Sequence, residues 1–325
     1  MTLKEGINKI FDGNSMLFLG SGFSLGSINV NRENLVTAGM LSNKLDSLSG
    51  GDNDGNLEDA ADEFIETLGE YKLVDFLKKE FTVNAYSKEQ EIIGKCKWGR
   101  IYTTNYDNTM EKICQDNGRI LTPVTLSSSL REYSDKSNTV IHLNGSVSDL
   151  TSNSLSEEFK LTSSSYLTQS FLNSEWISLF RYDLKDCDAI FFVGYSLAYD
   201  LDIKRLMFEN PSIKDKTFFI VSDNEKSSRL KIMERFGTPI TIGVNGFANE
   251  IQKQMVTYKP PVIKYEKPYL CFVRPNCSNI RPKIQDNAIW DLFFWGIPHI
   301  EILKYSYHYS PDYLYYVHRD YLDKA

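Results

Sequence analysis

A repeated order of short apolar runs and helical stretches constrains this chain most. Ala189-Ile190-Phe191-Phe192-Val193 is rich in β-branched and aromatic residues, and its apolar run is too short for a helix. It predicts a strand buried on both faces. Similar runs predict strands over residues 15–19, 101–104, 123–126, 217–221 and 239–242, and over 139–146 a strand ending in a glycine turn. Between them, apolar spacing of three and four predicts helices over 3–11, 57–69, 71–81, 108–114, 200–208 and 228–236, and in two pieces over 163–184. Residues 49–56 and 150–160 read as loops. Strand followed by helix, repeated, predicts the α/β class: a Rossmann-like parallel sheet flanked by helices, with helical insertions, and no zinc module.

The 325 residues suffice for one or two domains. From Pro260-Pro261 onward the character changes, and tyrosine, tryptophan and phenylalanine crowd the tail. The expected division is a main domain over 1–258 and an aromatic-rich C-terminal extension over 259–325. That extension either packs on the main domain or docks onto a partner, and the chain reads as a fragment of something longer. A net charge of -7 argues against a protein built to grip nucleic acid. No apolar run approaches the ~20 residues of a membrane helix, and the amino end lacks a signal-peptide core. Five scattered cysteines (Cys96, Cys114, Cys187, Cys271 and Cys277) form no CxxC pair, so neither a zinc site nor a disulfide framework is expected. A reducing cytoplasm fits this pattern.

The candidate chemistry lies where strands end. Ile101 to Thr104 runs into Asn105-Tyr106-Asp107, which places Asn105 and Asp107 at the carboxyl rim where open α/β sheets bind ligands. A buried asparagine there either caps the next helix or meets a ligand. Gly20-Ser21-Gly22-Phe23-Ser24 follows the first strand. It reads as a phosphate-binding loop or as a tight structural turn, since the next glycine, Gly26, is one residue late for the usual dinucleotide fingerprint. His142, Leu143, Asn144 and Gly145 end another strand. Alternation predicts Val140, His142 and Asn144 on one face, and His142 alone reads as a hydrogen-bonded core histidine. Only four histidines exist, and only His142 precedes residue 299. Gly194-Tyr195-Ser196 and Ser222-Asp223-Asn224 complete the series.

Taken in this order, the motifs resemble those of the sirtuin family: its glycine loop, its Thr-Gln-Asn-x-Asp loop, its His-Gly turn, its Gly-Thr-Ser loop and a later ribose-binding Asn. The resemblance covers about residues 10 to 250. Thr104 stands where that family has Gln, Asn144 stands where it has His, and no four-cysteine zinc module can be built. The helical insert at 57–81, with Tyr-Thr-Thr-Asn-Tyr-Asp and Gly-Tyr-Ser, looks more like the sirtuin-like domains of bacterial antiphage defence proteins. Those hydrolyse NAD+, commonly in an oligomer with a sensor or NTPase module.

The resemblance implies NAD+ as substrate and no metal. It implies that Gly20, Ser21, Gly22 and Ser24 cradle the pyrophosphate, and it counts Thr104 among the NAD+-binding residues. Asn105 would hold a water or the ribose beneath the nicotinamide bond, Asp107 would bind the carboxamide, and His142 would take a proton. Gly194, Tyr195 and Ser196 would line the phosphate and adenosine-ribose side, and Asp223 or Asn224 would contact that ribose. Cleaving the glycosidic bond releases neutral nicotinamide and leaves an oxocarbenium-like ribose, so the leaving group needs no acid. Delivery of water by a positioned base contributes ~10²–10⁴-fold. The leading expectation is an NAD+ glycohydrolase acting by NAD+ depletion in abortive infection. The alternatives are an NAD-dependent lysine deacylase, a non-catalytic NAD or ADP-ribose binding module, and a dehydrogenase, the last disfavoured by Gly26.

Overall fold

A computed structural model describes residues 1–133, 138–157, 159–168, 174–197 and 200–259. The aromatic-rich extension lies outside them. Helix α1 (Leu3–Asp12) opens on a capping box in which the Thr2 and Glu5 side chains each bond the other's backbone N–H. Strand β1 (Ser15–Leu19) leads into a single turn, α2 (Ser21–Ser24), and a two-residue strand, β2 (Ile28–Asn29). Three helices follow, α3 (Ala38–Ser49), α4 (Leu57–Leu68) and α5 (Glu70–Phe81). Next come β3 (Val83–Ala85), which pairs with β2, and α6 (Lys88–Gly94). Strand β4 (Arg100–Thr103), helix α7 (Thr109–Asp116), β5 (Thr122–Thr125), the short α8 (Leu130–Tyr133) and β6 (Thr139–His142) continue the chain. Helices α9 (Ser152–Glu157), α10 (Ser163–Thr168) and α11 (Trp176–Asp186) lead to β7 (Ala189–Val193). Last come α12 (Leu201–Glu209), β8 (Thr217–Ile220), α13 (Ser227–Met233), β9 (Thr238–Ile240) and α14 (Gly243–Thr257).

Seven strands form one parallel sheet in the order β5-β6-β4-β1-β7-β8-β9. The Rossmann-like expectation holds. From β1 the chain builds outward on the β4 side and then returns to β7 on the other. The topological switch point therefore lies at the ends of β1 and its two neighbours, where such folds bind ligands.

Alternation along the strands divides the core. Phe18, Tyr102, Ile141, Ile190, Phe192 and Phe219 enter one face, while Leu17, Ile101, Val140, Phe191, Val193 and Phe218 enter the other. Burial on both faces is why these strands read as continuous apolar runs. Asp183 of α11 accepts from Tyr102 Oη at 2.6 Å and from Arg100 Nε at 3.1 Å, tying that helix to β4. A third cluster joins Leu41 and Leu45 of α3, Phe64 of α4 and Leu77 of α5 to Leu155, Phe159 and Leu161.

The structure departs from the sequence reading in three places. Residues 150–160 are not all loop. Thr151 and Ser154 cap each other's backbone N–H, at 2.7 and 3.1 Å, and so start α9. Ser154, one of the serines that suggested a loop, serves here in the cap with Thr151. The sequence reading makes no assignment over α3, although Leu41, Leu45 and Leu48 recur at helical spacing, and the helix buries Leu41 and Leu45. Helix α14 begins Gly-Val-Asn-Gly and is held instead by buried Phe247, Ala248 and Ile251.

Phe191 stacks on Phe218 with ring centroids 5.2 Å apart, and it meets Phe247 and Trp98 at 5.3 and 5.8 Å. Phe191→Ala is expected to cost about 3–5 kcal/mol of stability, read by denaturant unfolding. A loss below ~1 kcal/mol would mean that the site collapses around the gap.

Candidate active site at the sheet switch point

The loops after β1 and β7 meet at the switch point. Gly22 N–H donates to the Gly194 carbonyl at 2.9 Å, and Gly20 N–H donates to the Val193 carbonyl at 3.1 Å. Gly194 has φ +65°, and a Cβ there would lie 2.1 Å from the Phe23 nitrogen. A Cβ on Gly20 would lie 2.6 Å from the Gly194 oxygen. These glycines are required by the approach of two protein loops to each other.

Asn105 joins this pair of loops to the end of β4. Its backbone N–H donates to Thr103 Oγ1 at 2.9 Å. Its Nδ2 donates to the Gly20 carbonyl and to Ser24 Oγ, each at 3.0 Å. A carbonyl can only accept, so the Gly20 contact settles which amide atom is nitrogen. The remaining acceptor, Oδ1, belongs to a residue on the cavity wall. Ser24 also hydrogen-bonds the Asp107 carboxyl. Thr109 donates to Asp107 through its backbone N–H at 3.1 Å and through its hydroxyl. Burial pushes the Asp107 carboxyl up, the Thr109 and Ser24 bonds pull against it, and nearby Glu111 adds to the rise.

The cavity beside these residues measures about 540 Å³, within the range of small-molecule and cofactor sites. Its polar wall includes Ser21, Ser24, Thr104, Asn105, Asp107 and Asn144, and continues through Gly194, Tyr195 and Ser196. Tyr195 rests on Phe18 and Phe192 at 4.9 and 5.6 Å. Burial and the neighbouring Asp200 hold its phenol well above the usual range, so it remains a donor. Lys160, Asp200 and Asp202 also line the cavity, and Val36, Leu41, Leu57 and Phe81 form an apolar wall. Tyr106 lines it too and stacks on Phe159 at 4.2 Å.

Most of the residues singled out from sequence meet here, but not all. Gly20 and Gly22 lie behind the lining, in the loop contact. Asp223 and Asn224 are exposed beyond β8 and are not among the lining residues. His142 is fully buried and faces a separate small void shared with Leu19, Val140 and Glu111. Strand β6 ends at His142, so alternation does not carry on to Asn144; Asn144 reaches the cavity and His142 does not. His142 Nδ1 lies 2.9 Å from the Asn105 carbonyl, and Nε2 lies 2.8 Å from Glu111 Oε1.

Sequence reading missed Lys160, Asp200, Asp202 and the apolar wall. Asp200 stood at a recognisable helix start, where it accepts from Ile203 N–H at 3.1 Å. The apolar wall carried no signal, because Leu57 and Phe81 look like any other core positions of an amphipathic helix. Among the described residues, no group of three or more His, Cys, Asp or Glu is placed to hold a metal ion. No described helix is long and apolar enough to cross a membrane.

A doubly wound α/β sheet with a polar cavity at its switch point is the class that fold and site define. Residues 99–238 match the family model described as the SIR2-like domain. It contains Asn105, Asp107, Asn144 and the Gly194 loop, whereas β1 and the helices α3–α5 precede it. A solved structure described as "Structural Basis for the Mechanism and Regulation of Sir2 Enzymes" aligns at 12% identity and a TM-score of 0.43, covering 79% of this chain and 98% of that one. No curated protein matches.

Burial pushes the His142 imidazole down, but Glu111, the Asn105 carbonyl and Asp107 outweigh it and hold its pKa above the ordinary value. A raised folded pKa stabilises fully below the unfolded value of about 6.5 and is lost as pH rises through the folded value. Unfolding free energy is therefore expected to fall from pH 6 upward. His142→Gln, which removes the titrating ring, should flatten that slope in denaturant titrations. An equal slope in both proteins would assign it to another group.

Proposed function

We propose that this protein cleaves the nicotinamide–ribose bond of NAD+, releasing nicotinamide and ADP-ribose. The SIR2-like match supports an NAD-related function in general. The observation that carries the finer reading is Asn105, whose amide is locked by Gly20 and Ser24 with Oδ1 left as acceptor beside a cavity at the switch point. As the glycosidic bond stretches, positive charge grows on the ribose. A fixed amide dipole aimed at that charge costs no reorganisation. Oδ1 can also accept from the attacking water, and an oxocarbenium-like centre asks more for positioning than for strong base.

In this reading the Asp107 carboxyl meets the nicotinamide carboxamide, with Thr104 nearby. Ser21 and Ser196 offer hydroxyls to phosphate oxygens, Ser24 instead ties Asn105 to Asp107, and Lys160 offers a cation. The Tyr195 phenol and the Asp200 and Asp202 carboxylates suit ribose hydroxyls. The resemblance to antiphage sirtuin-like domains supports a role as the NAD+-depleting effector of a bacterial defence system. Control would then come from assembly of several copies, or from a sensor or NTPase module in the same or another chain. Low basal activity is expected, because unrestrained NAD+ hydrolysis harms the cell that makes it.

A second reading is a non-catalytic NAD or ADP-ribose binding module. One observation favours it: the only histidine before residue 299 does not line the cavity.

Incubating the whole chain with NAD+ at high protein concentration, and following nicotinamide by chromatography, separates the two. Release that falls about 10²–10³-fold in Asn105→Ala, with unfolding unchanged, supports cleavage at this site. Tight NAD+ binding without release, in the isolated chain and in its assembled form alike, supports the binding module.

A further inference from the structure

We infer that His142 and Glu111 form a positioning pair that sets Asn105 from behind, and that His142 is not the group that accepts a proton from substrate or water. The inference rests on the proposed NAD+ cleavage for its activity arm, and on geometry alone for the rest. The Asn105 backbone carbonyl, 2.9 Å from Nδ1, can only accept. Nδ1 therefore carries a hydrogen and cannot receive another. Nε2 points 2.8 Å towards Glu111 Oε1 on α7, and one proton lies between those two atoms. Both ring nitrogens are thus committed within a fully buried ring. His142 lines the small void and not the cavity, and Ser24, Asn105 and Asp107 border both.

The charged and titratable groups that bear on the ring are Glu111 from α7 and Asp107 from the turn before it. They favour a ring that keeps both hydrogens. The Nδ1–H then clamps the Asn105 backbone while Gly20 and Ser24 clamp its side chain. Asn105 is thereby held at both ends, between β6 and the loop after β1. Glu111, whose carboxylate anchors the imidazole, acts two steps removed from the cavity. This arrangement gives the pair the task of orientation and leaves cavity chemistry to groups on the wall, among them Asn105, Asp107 and Asn144.

The test reads nitrogen-15 and proton shifts of the histidine rings in the full chain, uniformly labelled. Four histidines are present, and His142→Gln assigns the signal. At pH 7, slightly above the ordinary histidine midpoint of about 6.5, Nδ1 of His142 is expected to be protonated, with its hydrogen slow to exchange. Glu111→Gln should lower the ring's midpoint. In the activity arm, Glu111→Gln should reduce kcat about 10²-fold with little change in KM, as misplacement of a reacting group does.

A lone pair on Nδ1 at pH 7 in the wild-type chain overturns the inference, and this needs no variant to fold. Unchanged kcat in a folded Glu111→Gln also overturns it. If neither the isolated chain nor its assembled form releases nicotinamide, the cleavage reading fails, and the ring spectrum still decides whether His142 is committed as a donor.

Discussion

The cavity depends on the contact between the loop that leaves β1 and the loop that leaves β7. Parallel strands bring the two turns to the same rim, and a single short bond from Gly22 N–H to the Gly194 carbonyl closes them together. No side chain fits between them. Everything polar at the site is referenced to this closed pair. Asn105 bonds the Gly20 carbonyl, Ser24 bonds Asn105 and Asp107, and Gly194 hands the chain to Tyr195 and Ser196 at the wall. A fault at Gly194 would therefore misplace groups on β4 that it never touches.

Charge is arranged in two shells with different effects. Inside, Glu111 and Asp107 lie near His142, so burial, which would favour a neutral imidazole, loses to two carboxyl groups and a carbonyl. At the wall, Lys160, Asp107, Asp200 and Asp202 share a cavity that also carries hydroxyls and amides. Such a mixture suits a ligand that carries both anionic phosphates and neutral hydroxyl-rich sugars. Phosphates would be met chiefly by dipoles and hydroxyls, and the acidic groups would bond sugar hydroxyls. Opposite them, the helices α3–α5 contribute Leu41, Leu57 and Phe81, which narrow the site and exclude water from one side.

Much of this was legible beforehand. The central strands β1, β7 and β8 announced themselves most clearly, because burial on both faces leaves mostly apolar residues in a run of four or five. Asn105, Asp107 and the Gly194 loop were visible because polar and glycine residues follow such runs directly, and the rim of a parallel sheet is where that junction acquires a function. Less legible were helices that depend on distant partners. Helix α9 hid within a serine-rich stretch in which Thr151 and Ser154 cap its start.

Local pattern and burial specify the sheet, the succession of turns at its carboxyl rim and the residue types available there. Which of those residues share a cavity depends on how distant segments pack. Asn144 reaches it and His142 does not, because β6 ends between them and alternation stops with the strand. Glu111 and His142 lie 31 residues apart in the chain and become a pair only when α7 packs beside β6. Leu57 and Phe81 belong to the third core cluster and also line the cavity for the same reason: which face of a helix meets a cavity is set by what packs opposite it, and no local pattern records that.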